Sequence, residues 1–260
     1  MSGGVRSRYA PPAGRAPLAV ALDAPDGATA VRWARAVAPA AAVLKIGMEL
    51  FYREGPAVVA ALRAEGLLAE PGAGGRGAGA PELFLDLKLH DIPATVAGGM
   101  RSVATLLPRF ITVHAAGGAA MIRAAIEAAP EAEVAVVTVL TSLDAAALAA
   151  IGLAGPPDDA VRRLATLAVE AGANTLVCSP REVRMVRSEL GDSVTLITPG
   201  VRPEGSDVAD QARIATPGEA LQAGADLVVM GRPITRATDL GGAARAVADS
   251  ISAGRAPAGG

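Results

Sequence analysis

Short apolar runs recur along the chain, and each is followed by a stretch with helical spacing. Residues 18–23, 43–48, 83–89, 110–115, 134–141, 175–179, 194–198 and 227–230 read as strands. Most are apolar at consecutive positions, as expected of parallel strands buried on both faces. Helical periodicity fills the intervals at 26–37, 55–65, 92–107, 118–129, 144–151, 158–171, 180–190, 217–223 and 242–251. Eight β–α alternations predict an α/β protein, a single (β/α)8 TIM barrel over residues 17–252. A disordered lead (1–16), a Gly/Ala-rich flexible loop (71–80) and a flexible tail (253–260) complete the expected organisation. A doubly wound open sheet is the alternative, but no glycine fingerprint follows the first strand.

Against this background the polar residues inside strands stand out. In the third strand Asp86 and Lys88 are two apart and share a face, and Asp91 follows just beyond the strand end. A strand buried on both sides does not spend positions on charges without a partner or a use. An internal ion pair for Asp86 and Lys88, and a helix N-cap for Asp91, are the plain structural readings. In a barrel, functional side chains gather at the C-terminal strand ends. Those ends carry Asp23, Lys45, Asp86, Lys88, His114, Thr141, Ser142, Ser179, Thr198, Pro199, Gly231 and Arg232. Two lysines and two aspartates converging from three neighbouring strands form an alternating array, which favours a functional site over packing.

The end of the eighth strand, Met230-Gly-Arg-Pro233, leaves bare backbone and a guanidinium where barrels of this class often hold phosphate. The polar, glycine-bracketed segment 200–213 adjoins that corner. It suits a lid over a bound anion, with Arg202 and Gln211 facing the ligand, or else it is a solvated loop. His114, Cys178 and Ser179 are expected to be structural.

Composition narrows the classes. Of 260 residues 51% are hydrophobic but only 2% aromatic, so the core must be built from Ala, Val, Leu and Ile. A net charge of −2 gives no footing for nucleic acid or an anionic membrane. No uncharged stretch is long enough to span a bilayer, and no signal-peptide pattern opens the chain. The single cysteine excludes an internal disulfide and fits a reducing cytoplasm. Two histidines argue against a His/Cys metal site.

The residues resemble the bacterial-type orotidine 5′-phosphate decarboxylase family. The resemblance is carried by Ala21-Leu-Asp23, Leu44-Lys45, Leu85-Asp-Leu-Lys-Leu-His-Asp-Ile-Pro93, Val113-His-Ala115 and Thr138-Val-Leu-Thr-Ser142. It continues in Val177-Cys-Ser179, Thr198-Pro-Gly-Val-Arg202, Asp210-Gln211 and Gly231-Arg-Pro233. Ala94 stands where Asn is frequent, Leu89 where Phe is frequent, and the loop 71–80 looks like an insertion. The resemblance implies cofactor-independent decarboxylation of orotidine 5′-monophosphate to uridine 5′-monophosphate, the last step of de novo pyrimidine nucleotide synthesis, without a metal. It implies catalysis by Lys88, with Asp86 beside the departing carboxylate and Asp91 and Lys45 completing the array. Asp23, Lys45 and Thr95 would bind substrate, the first two at the ribose hydroxyls. Thr141 and Ser142 would meet the pyrimidine, with Pro199 beside them. Arg202, Gln211, Gly231 and Arg232 would serve the phosphate end. It also implies a cytoplasmic homodimer in which Asp91 completes the neighbouring subunit's site. Two other readings stay open. A metal-dependent phosphate-sugar barrel of the same superfamily would carry an acidic residue where this chain has Lys45. A barrel that only senses nucleotide would have no need of a strained charge array.

Overall fold

The computed structural model describes residues 9–69, 79–153, 155–203 and 215–255. Eight strands alternate with helices: β1 (Leu18–Ala21), α1 (Gly27–Val37), β2 (Val43–Gly47), α2 (Met48–Glu54), α3 (Pro56–Ala64), β3 (Glu82–Leu89), α4 (Pro93–Ala104) and β4 (Phe110–His114). They continue through α5 (Gly118–Ala128), β5 (Glu133–Val137), α6 (Ala145–Ala150), α7 (Pro157–Glu170), β6 (Thr175–Val177), α8 (Val183–Leu190) and β7 (Thr195–Pro199). The chain closes with α9 (Pro217–Gln222), β8 (Leu227–Met230), α10 (Arg232–Thr235) and α11 (Leu240–Arg255). All strands pair in parallel in sequence order, and β8 returns to β1 at Val228↔Leu18. The sheet is a closed (β/α)8 barrel; closure excludes the open doubly wound alternative.

Period-two alternation separates two cores. Leu18 and Val20 face the helices, whereas Ala19 and Ala21 face the barrel interior with Val43, Phe84, Phe110, Ala135, Val137, Val177, Ile197, Leu227 and Val229. The interior is thus lined mostly by small and branched aliphatic side chains, which is how a chain this poor in aromatics fills a barrel. Local signals start the helices. Asp26 caps α1 by accepting from Thr29 N–H at 2.7 Å, and Thr216 with Glu219 forms a capping box on α9.

Several boundaries differ from expectation. Strand β5 ends at Val137, so 138–141 run along the barrel mouth. Helix α8 begins at Val183, and the short helices α2 and α10 follow directly on β2 and β8. The expected disordered lead is ordered over its second half: Tyr9 is buried and stacks edge-on against Phe110 at 5.6 Å, closing the barrel floor. Apolar burial holds it there, a cue that a single Tyr in a Pro/Gly-rich stretch does not announce. Helix α11 extends through Arg255, beyond the expected start of the tail. Residues 1–8, 256–260 and most of the 71–80 loop lie outside the described residues.

Candidate active site

The inward positions at the C-terminal ends of β1, β2 and β3 carry a line of alternating charge. Lys45 Nζ lies 3.3 Å from Asp23 Oδ1 and 3.2 Å from Asp86 Oδ2, and Lys88 Nζ lies 2.7 Å from Asp86 Oδ1. Exposure is uneven: the side chains of Lys45 and Asp86 are 9% and 14% exposed, those of Lys88 and Asp23 26% and 55%. A buried cation between two carboxylates, and a buried carboxylate between two cations, have their charges matched without water. For Asp86, burial pushes the carboxyl up. The ammonium groups of Lys45 and Lys88, by charge and hydrogen bonds, outweigh this and hold it below the usual carboxylate range.

Strand β3 is irregular where the array sits. Leu85 pairs with Ile111 but Leu89 with Val113, so three residues of β3 face one residue of β4. Lys88 takes a left-handed backbone, φ +50°. Its N–H donates to Thr112 Oγ1 at 2.8 Å, and the Thr112 hydroxyl donates to Asp86 Oδ1 at 3.0 Å. Gly47 packs against the other side of the array: a Cβ there would stand 2.8 Å from Asp23 Oδ1 and 3.0 Å from Lys45 Nζ. Neither Thr112 nor Gly47 was among the expected site residues. Strand parity points to both, since Thr112 alternates with inward Phe110 and Gly47 with inward Lys45.

Lys45, Asp86 and Lys88 line a cavity of about 180 Å³ whose other walls are apolar. Phe84, Val137, Val139, Leu140, Val177, Ile197 and Val229 supply these walls, with Thr141 and Pro199 at the mouth. A flat ring can enter there with one edge against charge and its faces against hydrocarbon. A larger groove of about 620 Å³ lies outside, between α5 and α7, with Arg123, Arg162 and Arg163. It holds none of the array, so the smaller cavity is the candidate site.

The remaining expected residues divide. Thr141 and Pro199 line the cavity, whereas Ser142 is exposed and is not part of its wall. Gly231 lies against Asp23, with a Cβ there 3.7 Å from Asp23 Oδ2, and Arg232 is exposed beside it. Arg202 is half-buried, and its N–H donates to Ala215 O at 3.0 Å, which together with the Val201↔Ala215 bridge ties the two ends of the intervening segment. Gln211 and residues 204–213 of the expected lid lie outside the described residues. Asp91 and Thr95 are exposed and do not line the cavity. Asp91 accepts from Ile92 N–H at 2.6 Å, and Ile92, not Asp91, occupies the N-cap of α4. Among the described residues Asp91 forms no ion pair with Lys88.

His114 is half-buried, 5.6 Å from the His90 ring; burial first, then His90 and the Lys88 ammonium, lower its pKa. Cys178 is buried at the cavity wall, where desolvation pushes its thiol up, so it is no nucleophile. Among the described residues no group of three or more His, Cys, Asp or Glu could hold a metal ion, and no helix is long and apolar enough to cross a membrane.

Residues 16–247 match the sequence model of the family described as Orotidine 5′-phosphate decarboxylase / HUMPS family. The chain belongs to this family. It is 77% identical over 255 residues to an orotidine 5′-phosphate decarboxylase of Frankia casuarinae, covering 96% of this chain and 93% of that one. It is 65% identical to the protein of the same name from Thermobifida fusca, covering 91% and 96%. The crystal structure of orotidine 5′-phosphate decarboxylase from Lactobacillus acidophilus superposes with a TM-score of 0.76 at 33% identity, over 91% of this chain and 99% of that one. Within the orotidine 5′-phosphate decarboxylase / HUMPS family, the Lys at position 45 and the Asp-Leu-Lys of β3 are the groups that this barrel brings into contact.

Proposed function

We infer that the protein is a carbon–carbon lyase that decarboxylates orotidine 5′-monophosphate to uridine 5′-monophosphate, in pyrimidine nucleotide biosynthesis. The observation that carries this reading is the array itself: an ammonium group, Lys88, held at an apolar cavity beside a carboxylate that is kept ionised. Breaking the bond from C6 to the carboxylate leaves its electron pair on C6, with no adjacent carbonyl to absorb it. A cation must face that carbon and a proton must reach it. Lys88 Nζ does both: it stabilises the developing carbanion and then transfers its proton to C6, while CO2 departs. Asp86 faces the departing carboxylate, and the repulsion between like charges is relieved as CO2 forms. Lys45 holds Asp86 from the far side and, with Asp23, reaches the ribose hydroxyls. Thr141 meets the pyrimidine edge beside Pro199, and Ser142, exposed at the next position, reaches that edge from outside the wall. Arg232 and Gly231, with Arg202 and Gln211, grip the phosphate. That grip is remote from C6, so its binding energy is available to hold the strained complex.

Asp91 acts in the neighbouring subunit in this reading, and Thr95 accompanies it. Both are exposed and neither lines its own cavity, and the neighbouring Ile92 is an apolar side chain left 66% exposed. A two-fold pairing would cover this surface and bring Asp91 to the partner's array, making the enzyme a homodimer with shared sites.

Loss of orotidine monophosphate absorbance tests the activity: turnover that persists in excess chelator is expected, and no turnover overturns the assignment. Mixing two inactive variants, Lys88→Ala and Asp91→Ala, tests the shared site. With random exchange half the dimers are mixed and each has one intact site, so about a quarter of wild-type activity returns. No recovery, with exchange verified by mass, overturns the shared site and leaves the activity standing.

A further inference from the structure

We propose that Thr112 is a positioning residue for the decarboxylation, holding the Lys88 backbone and the Asp86 carboxylate in one hydrogen-bonded ring. This rests on the function inferred above. Three residues of β3, Asp86 to Lys88, face a single residue of β4, and that residue is Thr112. A bulge of this size breaks the regular ladder and leaves strand N–H groups without their usual carbonyl partner. The Thr112 hydroxyl takes over for Lys88, accepting its N–H at 2.8 Å. Its own proton then has one destination, because an amide N–H only donates and a carboxylate only accepts. It goes to Asp86 Oδ1 at 3.0 Å, the same oxygen that receives Lys88 Nζ at 2.7 Å. The ring therefore runs from the Lys88 backbone through Thr112 to Asp86 and back to the Lys88 side chain.

Two features make this more than a satisfied core hydroxyl. Lys88 has φ +50°, a conformation that an L-residue adopts only when its surroundings impose it. The Thr112 bond is the side-chain anchor on that backbone. Thr112 is also completely buried on the strand next to the array, so a hydroxyl-free side chain leaves the Lys88 N–H and the Asp86 carboxylate without that partner. The position of Lys88 Nζ relative to C6 is then set by a residue that touches neither substrate nor product. Misplacement of a reacting group by about an ångström costs roughly a hundredfold in rate.

The test compares Thr112→Val, which keeps the shape and loses the hydroxyl, with Thr112→Ser, which keeps the hydroxyl and loses the methyl. Thr112→Ala is the second hydroxyl-free variant should the valine fail to fold. The expected result is a fall in kcat of roughly ten- to a hundredfold for Val and Ala. Affinity for uridine monophosphate stays within about threefold, since product binding does not need a placed proton. Ser recovers most of the lost kcat. The acidic limb of the pH–rate profile moves to higher pH in Val and Ala, because Asp86 has lost a donor to its ionised form. An unchanged kcat in the hydroxyl-free variants overturns the proposal. So does a serine variant as impaired as valine, or a loss of product affinity equal to the loss of kcat. Wild-type turnover in the same assay separates these outcomes from a failure of the functional assignment.

Discussion

Both ends of this barrel carry a cluster of alternating charge, and strand β3 contributes to both. At the floor Glu82 begins β3, Arg109 precedes β4 and Glu133 begins β5. Arg109 Nη2 meets Glu133 Oε1 at 2.7 Å and Arg109 Nε lies 3.8 Å from Glu82 Oε1, while Thr175 Oγ1 donates to Glu133 Oε2 at 2.9 Å. Tyr9 covers the cluster. Arg109 stands 5.9 Å from its ring centroid, and burial, then the charge and hydrogen bond of Glu82, push its phenol far up. At the mouth Asp23, Lys45, Asp86 and Lys88 alternate in a similar way, but there the line ends at Lys88, which borders a cavity. At the floor every charge is spent on another protein group. At the mouth the last charge in the line, Lys88, lines an open cavity. A buried ion pair is thus not itself a sign of function; the open side of the array is.

The largest expected effect breaks the mouth alone. Lys88→Ala reduces decarboxylation to background, while calorimetry finds uridine monophosphate affinity within about tenfold of wild type, since the product has no carboxylate or carbanion at C6. Collapse of product binding together with turnover would contradict the role. The converse change breaks the floor: Arg109→Leu leaves Glu82 and Glu133 buried without their cation and costs about 3–5 kcal/mol in denaturant unfolding. The kcat of the protein that remains folded should stay within about threefold, because the array is at the far end of the strands.

A smaller effect is expected at Gly47. Its φ of −90° suits any residue, so alanine meets no backbone strain. The added Cβ instead presses on Asp23 and Lys45. Gly47→Ala should lower kcat/KM roughly tenfold with stability changed by no more than about 1 kcal/mol, as read by kinetics beside urea unfolding. The smallest effect concerns acid. Asp86 has a folded pKa below its unfolded value of about 3.9, so it contributes stability above that pH and loses it as pH falls through the folded value. Lys45→Met removes the first of the two cations that lower it. Carbon-13 NMR of the Asp86 carboxyl should then show titration at higher pH than in wild type, and an unmoved midpoint would mean that Lys45 does not hold this carboxylate.

Much of the mouth could be read from period-two parity. Ala19, Ala21 and Asp23 step inward along β1, Val43, Lys45 and Gly47 along β2, Phe84 and Asp86 along β3, and Phe110, Thr112 and His114 along β4. Charge marks Asp23, Lys45, Asp86 and Lys88 in the sequence, whereas Thr112 and Gly47 carry none and only the register marks them. Parity holds at Lys88, which lines the same cavity as Phe84 and Asp86 although the ladder to β4 is broken there, and it is silent on Asp91, which lies past the strand end and is exposed. It missed Tyr9 because that residue closes the floor from outside any strand.

The sequence by itself determined the class of fold and the residues able to do chemistry. Continuous apolar strands alternating with helical periodicity, and charges placed where those strands end, are local properties of the chain. Only the tertiary structure decided which charges meet. Lys45 reaches Asp86 because β2 and β3 pair in the register Gly47↔Asp86, and closure of β8 onto β1 sets Gly231 against Asp23. The ring through Thr112 exists because β3 bulges against β4. Register, closure and bulge are relations between segments distant in the chain. They are settled by packing the whole barrel at once, and no single stretch of residues encodes them.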